Sequence, residues 1–169
     1  MVTPARTVHR EAVRLLVVDA DDRLLLQHCI TPDTGEEFWC TPGGALDDAE
    51  TASDAAGREL FEETGLRAVV RLAEPVWERM HVFTTGDGRV FHQHERYHVL
   101  RVAAFDAAPG RLSDFERESI REQRWWRWDE LHDADAALFN PPQLPELLAR
   151  VCDGTFGAAA VGDAAGTAP

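Results

Sequence analysis

The chain has 169 residues and is 44% hydrophobic, enough for one domain with a proper core. Acidic residues outnumber basic ones 30 to 17, for a net charge of −13, which argues against a nucleic-acid backbone or an anionic membrane as the main partner. The three cysteines, Cys29, Cys40 and Cys152, are odd in number and form no C-x-x-C pair, so neither a disulfide framework nor a structural zinc site is expected. The N-terminus carries no apolar run of signal-peptide length, and no segment approaches the roughly 20 apolar residues that span a bilayer. These features point to a cytoplasmic protein.

In chain order, "VRLLVVDADDRLLLQHC" (13–29) holds two short apolar runs around Asp19–Asp22 and predicts a β-hairpin. "TPDTGEEFWCTPGG" (31–44) reads as loop. Residues 51–64 suit a helix, with Thr51 or Ser53 as cap and Gly65 as the stop. Residues 67–83 contain β-branched and aromatic runs, "TTGDGR" (84–89) is a hairpin turn, and 90–105 returns as one or two strands. "DFERESIREQ" (114–123) is a charged short helix or loop, "RWWRW" (124–128) a strand, and "PPQLPELLARVC" (141–152) a final helix. From Asp153 the chain is Gly/Ala-rich and is expected to be a poorly ordered, flexible tail (153–169) after a single domain (1–152). The mix of strands and helices without regular alternation predicts an α+β domain, a mixed sheet packed between helices.

The predicted helix carries the densest acidic cluster. At about 100° per residue, Glu59, Glu62 and Glu63 share one side within an arc of roughly 100°. Such a cluster repels itself, and enclosure makes the repulsion worse. A divalent cation reverses the sign, and Mg²⁺ takes oxygen ligands and often works with substrate phosphates. Arg58, four residues before Glu62, has the spacing of a helical ion pair and can hold a glutamate in position, with Glu50 as a second partner. Ala52, Ala55 and Ala56 lie on the same side, allowing close approach of another element or room for a ligand. Gly43 and Gly44 allow a tight turn whose exposed carbonyl can add a ligand. The plain alternative is a solvated acidic face.

Gly44, Glu50 and "RELFEETGL" (58–66) reproduce the Nudix box, G-x5-E-x7-R-E-U-x-E-E-x-G-U, where U is a bulky aliphatic residue. Leu60 and Leu66 fill the U positions. The chain therefore resembles Nudix (MutT-like) hydrolases over roughly residues 12–150. Asp47 and Ala49 depart from the commoner Glu and Gly, at positions that do not define the box. The resemblance implies an α/β/α sandwich and hydrolysis of a nucleoside diphosphate linked to another moiety. It also implies Mg²⁺ or Mn²⁺ as cofactor and water attacking phosphorus. By motif position it implies Glu59, Glu62 and Glu63 as metal ligands, the Gly43 carbonyl joining them, Glu59 orienting or deprotonating the water, and Arg58 with Glu50 as the supporting pair.

Family enzymes often recruit another carboxylate from a late loop. Glu116, Glu118 and Glu122 are available, and the distance before the "RWW" strand favours Glu118, with Glu95 as an alternative and a solvated charged loop as the plain reading. His92 and His94 alternate on one strand face with His98 nearby; sheet-surface residues are the favoured reading over metal or phosphate contact. Trp39, beside the Pro-Gly-Gly loop, is a candidate to stack on a nucleobase. Subfamily signatures after the box are missing, so nucleoside triphosphates, nucleotide sugars and other derivatives all fit. The expected partner is a small-molecule nucleotide derivative, with nucleic acid and membrane disfavoured, acting on a monomer or homodimer. A catalytically silent nucleotide-binding or regulatory module is the alternative, and an RNA-decapping role is opposed by the acidic balance.

Overall fold

The computed structural model describes residues 7–156 and, as backbone, residues 161–166. The first two strands, β1 (Thr7–Val18) and β2 (Leu24–Ile30), form the expected hairpin, joined at Val18↔Leu24. Asp19 closes its turn. The carboxylate accepts the N–H groups of Asp21 and Arg23 at 3.0 and 2.9 Å and pairs with the Arg23 guanidinium. Along β1, Leu16 and Val18 enter one apolar core while Val13, Leu15 and Val17 enter another. A strand buried on both faces belongs in the middle of a sheet.

The sheet is mixed and nine-stranded. Its remaining strands are β3 (Glu37–Cys40), β4 (Ala68–Arg71), β5 (Trp77–Thr84), β6 (Val90–Arg101), β7 (Ile120–Trp126), β8 (Phe139–Asn140) and β9 (Val161–Gly166). Their order is β4-β9-β6-β1-β2-β3-β8, with β5 also beside β6 and β7 beside β2. β1 runs parallel to β6 over its whole length, from Thr7↔Val90 to Val18↔Arg101. The turn at 84–89 joins β5 to β6 as a hairpin closed at Thr84↔Val90.

Among the described residues, four α-helices complete the domain. α1 (Ala52–Thr64) packs Ala55, Ala56 and Leu60 on Val13, Leu15, Val17 and Leu25. On the opposite face, α3 (Trp128–Asp133) and α4 (Leu144–Cys152) bring Leu131, Leu144, Leu147, Leu148 and Val151 against Leu16, Val99 and Trp126. The short α2 (Asp114–Ser119) precedes β7. The layering is helix, mixed sheet, helix, as expected for an α+β domain. No helix among the described residues is long and apolar enough to cross a membrane.

Several local expectations change. The stretch read as loop, 31–44, contains β3, which pairs antiparallel with β2 and parallel with β8. Its strand signal is only four residues long and is completed by neighbours distant in sequence. The "RWWRW" strand begins earlier and stops at Trp126; Trp128 opens α3, 42% exposed, with its ring stacked on His132. Within the Gly/Ala-rich tail, the backbone of Val161–Gly166 pairs antiparallel with β4 and parallel with β6. Backbone pairing between two strands recruits a segment whose composition carries no strand signal. Tail residues 157–160 and 167–169 lie outside the described residues.

Candidate active site

The site is assembled where α1 passes the Pro-Gly-Gly loop. Thr51 caps the helix by accepting the Asp54 N–H at 3.2 Å, and Gly65 ends it in the left-handed conformation. The loop lies along β1, with the Leu15 N–H donating to the Pro42 carbonyl at 2.9 Å and the Val13 N–H to that of Gly44 at 3.0 Å. A Cβ on Gly43, at φ +129°, would sit 2.2 Å from the Val13 carbonyl oxygen, and one on Gly44 would sit 2.3 Å from Glu59 Oε1. Only glycines let this backbone lie between strand and helix. The contact is also bonded, because the Gly43 N–H donates to Glu63 Oε2 at 2.7 Å.

Glu59 and Glu63 are buried, only 5% and 6% exposed, while Glu62 is half-buried. The helical geometry thus turns two of the three charges inward beside the small residues Ala55 and Ala56. Burial, joined by the charges of Glu116 and Glu62, raises the proton affinity of Glu59 despite the opposing effect of Arg58. Burial, and then the charge of Glu59, push Glu63 well above the usual carboxylate range.

Arg58 binds this arrangement together. Nε and Nη2 donate to the two Glu50 oxygens at 2.9 and 2.8 Å, and Nη1 donates to Glu59 Oε1 at 2.7 Å and Glu62 Oε2 at 3.3 Å. Nη2 also donates to the Ala45 carbonyl at 3.0 Å. The bonds from Arg58 hold the Glu50 carboxyl below its ordinary range. The predicted Arg58–Glu50 pair is present, and it reaches two helix glutamates as well.

A third carboxylate comes from α2. Oxygens of Glu59, Glu63 and Glu116 lie within 4.8 Å of one another, an oxygen-donor set of the kind a hard divalent cation takes. Glu116 stands at the third helical position. Its carboxylate accepts the Ser113 N–H at 2.6 Å while its own N–H donates to Ser113 Oγ at 3.3 Å. This capping box aims the side chain back toward α1. The preferred sequence candidate, Glu118, is exposed and outside this set. Two residues along a helix turn the side chain by about 200°, so only one of the two can face α1. The box signature Ser113-x-x-Glu116 marks where α2 starts, and the direction of that helix decides which of the two faces α1. Together α1 and α2 wall a cleft of about 640 Å³ lined by Arg58, Glu59, Glu62, Arg111, Glu116 and Arg117, among others.

The other candidates lie elsewhere. Glu95 is fully buried. It accepts from Arg14 Nε and Nη2 at 3.0 and 2.9 Å, Arg79 Nε at 2.6 Å, Gln93 at 2.7 Å and the Tyr97 hydroxyl at 2.9 Å. Burial works against its charge, but Arg14, His81 and Arg79 outweigh that and hold its carboxyl far below the usual range. Arg14 also donates to the Gly43 carbonyl at 2.7 Å, linking this network to the loop. Sequence reading passed over Arg14, although a charge inside the apolar run "AVRLLVV" signalled a buried partner. His94 bridges Glu11 and Glu78, at 3.1 and 2.7 Å, on the sheet surface. The Trp39 ring is stacked on His28 and meets Trp126 edge-on, each with centroids 5.0 Å apart, so the protein already occupies one face.

A mixed sheet between helices, with buried carboxylates gathered on one helix under a Pro-Gly-Gly loop, defines the class of molecule. The NUDIX domain model matches residues 8–147, and the chain belongs to that family. An RNA pyrophosphohydrolase of Novosphingobium aromaticivorans is 31% identical over 150 residues, 83% of each chain. Another, of Rhizobium meliloti, is 29% identical over 114 residues, 63% of this chain and 66% of the relative. This and several further relatives are thus matched over less than two thirds of their own length. A crystal structure of a MutT NUDIX hydrolase from Burkholderia pseudomallei shares the fold, with TM-score 0.60 and 21% identity, covering 85% of this chain and 98% of that one.

Proposed function

We propose that this chain hydrolyses a diphosphate bond in a nucleoside diphosphate linked to another moiety. The observation that carries the reading is the converging set of buried Glu59, buried Glu63 and half-buried Glu116, with Glu59 and Glu116 lining a polar cleft. Uncompensated, such a cluster costs stability; its chemistry fits Mg²⁺ or Mn²⁺, held by Glu59, Glu62, Glu63 and Glu116 with the Gly43 carbonyl. Such an ion, when bound, neutralises charge on the phosphate oxygens and makes a water more acidic. The protein's own groups do the positioning. Arg58 and Glu50 fix the rotamers of the helix glutamates, and the Gly43 N–H fixes Glu63. Glu59 orients the attacking water and takes its proton, the new O–P bond forms, and the bridging P–O bond breaks.

Turnover of a nucleotide panel with Mg²⁺ and Mn²⁺ tests this. We expect hydrolysis of at least one member and its loss in Glu62→Gln plus Glu63→Gln. No turnover of any member, or full activity in that double variant, overturns the reading. Tight binding of a nucleotide without hydrolysis would instead mark a silent binding module.

A second reading draws on the relatives named RNA pyrophosphohydrolase. Here the diphosphate would belong to an RNA. The net charge of −13 opposes long backbone contacts, so such an RNA would be held by its end. A 5′-triphosphorylated oligonucleotide in the panel decides it: release of pyrophosphate supports the reading, and an inert end removes it.

A further inference from the structure

The cleft between α1 and α2 has cations that the chemistry above does not use. Arg58 is spent, since its guanidinium already donates to Glu50, Glu59, Glu62 and the Ala45 carbonyl. Arg111 and Arg117 are the other cations lining the cleft. Arg111 is exposed and its side chain has neither an ion pair nor a hydrogen bond among the described residues. Among the described residues Arg117 pairs only with Asp114, at 2.8 Å, where both side chains are largely in solvent (60% and 96% exposed). Such a surface pair is weak and gives way to a stronger anion.

Arg111 does not sit on a free loop. The Gly110 and Arg111 N–H groups both donate to the Glu62 carbonyl, at 3.1 and 3.0 Å, and the Ala108 N–H donates to that of Thr64 at 3.0 Å. These bonds satisfy carbonyls at the end of α1 that the helix leaves open. Gly110 lies so close to Phe61 that a Cβ would come within 2.5 Å of its carbonyl oxygen. The backbone of Arg111 is therefore latched to the catalytic helix beside Glu62, and its guanidinium is the free end of a fixed stem.

We propose that Arg111 and Arg117 determine specificity by binding an anionic group beyond the diphosphate held at the carboxylates. The chain then prefers a substrate with a terminal third phosphate over one whose diphosphate ends in an uncharged sugar. A third phosphate adds negative charge at a distance the carboxylate centre does not reach, and planar guanidinium groups bind phosphate oxygens in pairs. The inference rests on the hydrolase reading and deepens it.

The test compares ATP with ADP-glucose in the wild type, Arg111→Gln, Arg117→Gln and the double variant. We expect the ratio of kcat/KM for ATP to that for ADP-glucose to fall about tenfold or more in the double variant, mostly through KM for ATP. An unchanged ratio, or a loss carried by kcat alone, overturns the proposal. If neither compound is turned over, the hydrolase reading is decided by the rest of the nucleotide panel, and calorimetric binding of a non-hydrolysable ATP analogue decides this one. Weaker binding in the double variant supports it, and equal affinity overturns it.

Discussion

Glu63 is a carboxylate placed where it is least comfortable. It is buried, next to Glu59, and relieved only by the Gly43 N–H and more distant charges such as Arg14. Replacing it by Gln removes a like charge, so Glu63→Gln is expected to melt at the same or a higher temperature without metal. In the unsubstituted protein, added Mg²⁺ or Mn²⁺ is expected to raise Tm, and the variant should lose most of that increment. Thermal scans with and without the ion check both; an increment of the same size in the variant would remove Glu63 from the ligand set. Arg58 acts one step further out. Arg58→Gln is expected to lower kcat/KM about 10–100-fold, the usual range for groups that orient ligands, and Glu50→Gln should fall in the same range. Steady-state assays with saturating metal separate this from simple loss of ion binding.

At the scale of elements, the helix and its neighbours divide the work. α1 is stabilised by its cap and by packing, and Thr51→Ala is expected to cost about 1 kcal/mol in urea denaturation with activity retained. The loop it faces is less tolerant. Gly44→Ala places a methyl group on the Glu59 carboxylate, so we expect kcat to fall sharply while the fold persists; unchanged kcat would mean the loop moves aside freely. The box helix and its cap were legible because its signals are local: a capping Thr, apolar spacing and a terminal Gly. β3 and β9 were not, since each is held by backbone pairing with strands far along the chain. The choice of Glu116 over Glu118 likewise needed the direction of α2, which the distance to the next strand does not contain.

For the molecule as a whole, the buried Glu95 network joins β1, β5 and β6 to the loop that carries Gly43. Glu95→Gln is expected to cost about 3–5 kcal/mol, because it leaves Arg14 and Arg79 short of a countercharge. The pH dependence has a definite sign. The folded carboxyl is far more acidic than the unfolded one, near the reference value of about 4.3. Its contribution is therefore complete above that pH and is lost as pH falls below it toward the folded value. Urea melts from pH 7 to pH 3 should show the gap between wild type and Glu95→Gln closing only at the acid end. A gap that closes at neutral pH would contradict the network.

By itself the sequence determined the family, the helix that carries Glu59, Glu62 and Glu63, and the Arg58–Glu50 support. All of these lie within one stretch of 23 residues from Gly44 to Leu66, where contacts follow from helical periodicity and turn chemistry. Only the tertiary structure decided which glutamates are buried, that Glu116 completes the cluster, that Arg14 reaches the Gly43 carbonyl, and that Arg111 is latched beside Glu62. Those relations join β1, α2 and the loops at Gly43 and Arg111 to one another and to α1, and the separations in sequence that they span carry no period. They exist because two sheet faces had to be covered, and covering them brought distant polar groups to one edge.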